Sequence, residues 1–183
     1  MNFLNRFFFR LIASLIVFLI FSNSIYAVEN ITPDIGNKAP EFILEGYSSQ
    51  FPEKNLWKLS DLSNTWVVLY FYPKDFTNGC TIEAKGFDKL NKNFINRNTT
   101  VIGISNDQVN EHESFCSKES LSIVLLTDED GKVSEKYGSW NPPYSKRNTF
   151  LIDPDGNIKY KWLGVIPSKH PQEVYKKLIE LEK

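Results

Sequence analysis

Metal-binding and redox side chains are scarce in this chain. Its 183 residues hold only two cysteines, Cys80 and Cys116, and two histidines, His112 and His170. Two cysteines are too few for a disulfide-stapled miniature scaffold, and a chain of this length does not need one. No Cys/His spacing resembles a zinc site, so we expect no metal. Excess charge of either sign is missing too. With 21 basic and 22 acidic residues the formal net charge is −1, which leaves no electrostatic footprint for nucleic acid. Internal repeats and low-complexity tracts are absent. The apolar run near the N-terminus, Leu11 to Phe21, has 11 residues, short of the ~20 that a membrane-spanning helix wants.

What is present suits one globular domain. Apolar residues make up 42 % of the chain, enough for a core. The first 27 residues differ in composition from the rest. Arg6 and Arg10 give a positive start, the apolar run follows, and Ser22-Asn23-Ser24 leads to the small residue Ala27. This is the order of a secretory signal peptide. We therefore expect residues 1–27 to be a signal and residues 28–183 to be the mature domain, exported to a periplasm or an equivalent lumen such as that of the thylakoid. An uncleaved N-terminal anchor is the alternative, because Ile25 stands at −3 to a cut after Ala27. Cleavage removes two arginines, takes the net charge from −1 to −3 and leaves no stable membrane insertion.

The rest of the chain alternates between two hydrophobic periods. Phe42–Leu44 and Leu56–Leu59 predict a short strand pair. Trp66 to Tyr72 (WVVLYFY) is a continuous apolar run ended by Pro73, as expected of a central strand buried on both faces. Cys80 to Asn96 carries a helical stripe of Ile82, Phe87, Leu90, Phe94 and Ile95. Thr99 to Ser105 predicts the next strand, and Asp107 a cap for a helix reaching Glu119. A strand at Ile123–Leu126 and a short helix within Asp128–Tyr137, ended by Gly138, follow. Thr149–Ile152 and Ile158–Trp162 flank the turn Asp153-Pro154-Asp155-Gly156 and should pair as a hairpin. Pro171 opens a last helix with Val174, Leu178 and Leu181 on one face. Strands alternating with helices, then a late antiparallel hairpin, predict a three-layer α/β domain with a mixed central sheet flanked by helices. A thioredoxin-like fold with an N-terminal extension has this order.

The informative segment is Tyr70-Phe-Tyr-Pro-Lys-Asp-Phe-Thr-Asn-Gly-Cys80-Thr-Ile-Glu83. A buried strand ends at a proline, a loop follows, and Cys80 stands at the start of a helix. Free backbone N–H groups and the helix dipole at that place stabilise an anion and so favour a thiolate nucleophile. Thr77, three residues earlier, can bring a hydroxyl near the sulfur. Generic spacing alone equally allows a buried core cysteine after a strand.

The longer match separates these readings. Pro73-x-x-x-Thr77-x-x-Cys80 resembles the active-site motif of peroxiredoxins. The string YFYPKDFTNGCTIEAKGF resembles the Q-type, or bacterioferritin-comigratory, subfamily. Gly36-Asn-Lys-Ala-Pro40-Glu-Phe42, Gly103-Ile-Ser-Asn-Asp107 with His112 and Phe115, Leu125-Leu-Thr-Asp128 and the stretch Arg147 to Gly156 agree in order and spacing. The resemblance covers about Ile35 to Leu181. It implies a thiol peroxidase without cofactor, acting on hydrogen peroxide and organic hydroperoxides. Cys80 would attack the peroxide and become a sulfenic acid. Arg147 would hold thiolate and peroxide, and Pro73 would shield the sulfur. Glu83 is either a subfamily site residue or an acid that favours the helix dipole.

One departure matters. Many Q-type members carry a second cysteine five residues after the first, where this chain has Lys85. Another group in the subfamily places the resolving cysteine in the helix that here holds Cys116. The resemblance thus implies a Cys80–Cys116 disulfide, recycled by a thioredoxin-like reductant, in a monomer. Cys116 as a small core residue, or in a static disulfide, remains the alternative. His112 reads as a helix surface or packing residue and His170 as a helix-start residue. A thiol–disulfide oxidoreductase on the same fold wants its second cysteine at position 83, which is glutamate. A non-enzymatic binding domain leaves the set Cys80, Thr77 and Arg147 without a purpose.

Overall fold

The structure, a computed structural model, describes residues 32–182. The expected signal segment and the boundary after Ala27 lie outside the described residues. The strands are β1 (Ile43–Tyr47), β2 (Leu56–Lys58), β3 (Trp66–Phe71), β4 (Thr99–Ser105), β5 (Val124–Thr127), β6 (Trp140–Asn141), β7 (Tyr144–Ser145), β8 (Asn148–Ile152) and β9 (Ile158–Leu163). The helices are α1 (Asn78–Ile95), α2 (Val109–Glu119), α3 (Lys132–Lys136) and α4 (His170–Leu181).

Seven strands form one mixed sheet in the order β2-β1-β5-β4-β3-β8-β9, and β6 and β7 form a separate ribbon. The three central strands β3, β4 and β5 run parallel, joined by α1 and α2 as crossover connections. The expected hairpin is β8–β9, with β8 also antiparallel to β3. The strand pair at the start is β1–β2, placed at the far edge by antiparallel pairing of β1 with β5. The mixed α/β architecture is as the sequence predicts.

Alternate residues of β3 feed two cores. Val67, Leu69 and Phe71 pack on one face with Ile102, Ile104, Val133, Tyr137 and Phe150. Val68, Tyr70 and Tyr72 pack on the other with Phe87, Phe94, Phe115, Val174 and Leu178, beneath α1, α2 and α4. A strand apolar on both faces has no solvent side, which is why WVVLYFY lacks alternation. Both cysteines lie in this second core. Gly103 of β4 lets Tyr70 cross the sheet face, since a Cβ there would stand 2.6 Å from the tyrosine ring.

Two boundaries differ from expectation. Helix α1 begins at Asn78, so Cys80 is its third residue. Asp107 does not cap α2; Gln108 does, its backbone N–H donating to Glu111 Oε2 at 3.0 Å. The Asp107 carboxylate instead turns back, accepting from the Asp75 backbone N–H at 2.9 Å and from Ser105 Oγ at 2.7 Å.

Candidate active site

The β3 strand delivers the chain to one end of the sheet, where Pro73 halts it and residues 73–77 turn into α1. Thr77 is the N-cap, in extended conformation, and its carbonyl accepts the first helical bond from Thr81 at 2.9 Å. Cys80 therefore stands among the N–H groups that have no partner within the helix. No acidic side chain occupies the first turn of α1. Cys80 is 1 % exposed.

Arg147, just before β8, supplies the positive charge. Its Nη2 donates to Cys80 Sγ at 3.3 Å and its Nη1 to Glu83 Oε2 at 2.8 Å. One planar fork thus bridges a thiol sulfur and a buried carboxylate, a two-pronged geometry that suits arginine rather than lysine. Glu83 is fully buried, and its second oxygen, Oε1, has no hydrogen-bond partner. Burial raises its carboxyl from the ordinary 4.5 to about 7, against the opposing pull of Arg147. Burial, and after it the nearby Glu83, raises the Tyr70 hydroxyl well above its ordinary range. The Val165 backbone N–H donates to the Arg147 carbonyl at 3.1 Å and anchors the arginine from the β9–α4 loop. Gly79 makes room for the guanidinium, because a Cβ on it would lie 2.8 Å from Nη2.

Of the expected site residues, Cys80 and Arg147 are in contact, and Pro73 and Thr77 lie in the segment that leads from β3 into α1. Thr77 arrives with its hydroxyl turned away, donating to the Lys74 carbonyl at 3.0 Å rather than to the sulfur. It makes no side-chain cap bond to the helix. Both cysteines are free thiols. Cys116 lies in α2, 1 % exposed, and burial pushes its thiol up to about 12, with Asp75 and Asp88 adding to the rise. Its carbonyl accepts from the Leu121 N–H at 2.9 Å.

Sequence reasoning missed the polar knot behind the loop. His112 is a fully buried residue, with Nδ1 2.7 Å from Asp75 Oδ2, and Tyr72 donates to Asp75 Oδ1 at 2.7 Å. Nothing in the order of residues announces a pair 37 positions apart. His170 does begin α4, as read, but is also buried, its Nε2 2.8 Å from Thr149 Oγ1. The close approach of Arg147 to Gly79 is a tertiary fact that the local sequence does not announce.

The chain is similar to known proteins over most of its length. The profile of the AhpC/TSA family matches residues 35–161. Peroxiredoxin Bcp of Bacillus subtilis is 34 % identical over 158 residues, spanning 82 % of this chain and 98 % of its own. A putative peroxiredoxin bcp of Helicobacter pylori is 39 % identical, covering 79 % and 97 %. Among solved structures, a cysteine-to-serine mutant of Xylella fastidiosa PrxQ superposes with a TM-score of 0.75 at 30 % identity, over 84 % of this chain and 99 % of that one. Xanthomonas campestris bacterioferritin comigratory protein, whose structures are described with its alkyl peroxide reduction activity, gives 0.72 at 25 %, over 82 % and 100 %. The chain therefore belongs to the AhpC/TSA family and is a peroxiredoxin of the Bcp or PrxQ type, a thiol-dependent peroxidase.

Proposed function

We propose that Cys80 is the peroxidatic residue and Cys116 its resolving partner. The observation that carries the first part is Arg147 Nη2 at 3.3 Å from Cys80 Sγ, with the same guanidinium tied to Glu83. The Cys80 thiolate attacks one peroxide oxygen of hydrogen peroxide or an organic hydroperoxide. The S–O bond forms as the O–O bond breaks, and the leaving oxygen takes a proton, giving water or an alcohol. Cys80 is then a sulfenic acid. Arg147 lies where it stabilises the thiolate before attack and the negative charge spread over the two oxygens during it. Glu83 fixes the guanidinium; Pro73 shields the sulfur, and Thr77 sets the start of the helix that presents it.

Cys116 is the other thiol of the chain. In this reading its sulfur displaces hydroxide from the sulfenic acid, and a Cys80–Cys116 disulfide and water result. A dithiol protein of the thioredoxin type returns two electrons and two protons. We assign this chemistry to a monomer exported by the Arg6/Arg10 and Leu11–Phe21 segment. N-terminal sequencing from the native host tests the export, with a start near Val28 expected and an intact Met1 refuting cleavage.

The deciding experiment for the nucleophile is peroxide consumption by Cys80→Ser. Serine is barely ionised near neutral pH and lacks a polarizable sulfur, so turnover should vanish. Arg147→Ala should keep the fold and slow the first step by about a hundredfold, the scale of losing one charge-stabilising donor. Wild-type turnover in Cys80→Ser ends the assignment.

A further inference from the structure

Cys80 and Cys116 are both free thiols buried in the core; in the resolving reading their two segments part before the sulfurs bond, and contacts in the structure hold those segments together. On the Cys80 side is the loop between β3 and α1; on the Cys116 side is α2. Asp75, five residues before Cys80, meets His112, four residues before Cys116, at 2.7 Å inside the core. Phe76, the next residue along, sets its ring edge-on against Phe115, the residue just before Cys116, at 5.1 Å between centroids. A polar contact and an apolar one thus run side by side, each from the turn ahead of one cysteine to the turn ahead of the other.

The hinges beside these contacts are strained. Phe76 has φ +60° and Ser120 has φ +56°. Left-handed backbone is costly for residues with a side chain, and asparagine tolerates it better than most. The two other non-glycine residues with positive φ among the described residues are asparagines, Asn64 and Asn98. Phe76 lies four residues before Cys80 and Ser120 four residues after Cys116. Strain of this kind persists only while surrounding contacts over-determine it, and around Phe76 those contacts include the Asp75–His112 and Phe76–Phe115 pairs and the Lys118 ammonium 5.4 Å from the Phe76 ring. Phe76 is also 46 % exposed, an aromatic ring held at the surface with its edge on a buried partner.

We infer that Asp75, Phe76, His112 and Phe115 form a clasp that sets how often the two cysteine segments open, and so act as positioning residues for the resolving step. The inference rests on Cys116 being the resolving thiol. Opening serves two ends. It frees both sulfurs to come within the roughly 7 Å between Cα atoms that a disulfide allows. It also takes Cys116 out of the core that suppresses its ionisation. The step itself is Cys80–SOH plus Cys116–SH giving the disulfide and water. While the clasp is shut, the sulfenic acid stays beside Arg147, where a second peroxide converts it to a sulfinic acid and releases water or alcohol. The clasp therefore divides each sulfenic acid between recycling and over-oxidation.

The test is the partition, read by mass spectrometry on the full chain over rising hydrogen peroxide, with stopped-flow tryptophan fluorescence for the separate steps. Phe76→Ala removes the exposed ring and no core residue. It should leave the first step unchanged and raise the peroxide concentration for half over-oxidation by about fivefold, the equilibrium worth of one aromatic pair. Phe76→Leu, which retains an apolar contact, should fall between. His112→Asn should shift the partition the same way if it folds, and the Phe76 pair decides the matter if it does not. A partition in Phe76→Ala equal to wild type, or displaced toward over-oxidation, while the Cys80–Cys116 disulfide still forms, overturns the clasp alone. A wild type that forms no such disulfide overturns the resolving reading and the clasp with it.

Discussion

Glu83 gives Arg147 one carboxylate oxygen, at 2.8 Å, and holds the other inside the core without a partner. The bond fixes the fork that reaches Cys80, while the orphan oxygen makes the carboxylate costly to keep charged. Glu83→Ala should free the guanidinium and slow the first step at least about tenfold, as loss of a preorganised support does. Glu83→Gln should lose less, since its amide oxygen still accepts from Arg147. Stopped-flow rates of sulfenic acid formation at pH 8 check both.

The same residue shapes stability. Its carboxyl is raised from 4.5 to about 7, so between those values the folded chain binds a proton that the unfolded chain has lost. Stability then falls as pH rises through this window, and the loss is complete above about 7. Unfolding free energies from denaturant titrations at pH 5 and pH 8 should differ less in Glu83→Gln than in wild type.

His170 works in the opposite sense. Burial lowers its imidazole from 6.5 to about 4, so the unfolded chain takes up a proton first on acidification. Stability contributed by neutral His170 is fully present above about 6.5 and is lost as pH falls toward 4. His170→Gln, able to retain a bond to Thr149, should show a shallower decline in that range by thermal melts.

Gly79→Ala isolates the geometry of the fork. The added Cβ would stand 2.8 Å from Arg147 Nη2, the far end of a flexible side chain, so the guanidinium can yield. Position 79 is helical, where alanine is favoured over glycine. We expect a melting temperature near that of wild type and a first-step rate reduced about tenfold or more. A rate equal to wild type would mean that the arginine contact with sulfur is dispensable.

Cys116→Ser separates resolution from attack. Sulfenic acid at Cys80 should accumulate after one equivalent of peroxide, seen as the gain of one oxygen, and over-oxidise as peroxide rises. Wild type should lose two hydrogens within one chain. A variant that cycles with a thioredoxin as fast as wild type makes Cys116 a packing residue.

Local order carried much of this architecture. WVVLYFY and TTVIGIS announced β3 and β4 because strands buried on both faces need no alternation, and Asp153-Pro154-Asp155-Gly156 announced a turn by its own chemistry. The placement of β1 beside β5, the approach of Arg147 to Gly79 and the meeting of Asp75 with His112 depend on contacts between distant segments. No local preference encodes them. Thr77 shows the intermediate case. Its position before the helix was readable, but the bond of its hydroxyl to the Lys74 carbonyl was not. Asp107 failed as a cap because the buried backbone N–H of Asp75 claimed its carboxylate.

Cys80 is 1 % exposed. A sulfur so enclosed sorts reagents by width before chemistry begins. A peroxide is a slender two-atom head that can slip through a brief fluctuation and find Arg147 waiting, whereas a bulky maleimide must wait for the loop to swing clear. Reactivity toward peroxide and accessibility to thiol labels are therefore separate properties of the same atom, and slow labelling of the native protein is the expected companion of fast peroxide reduction.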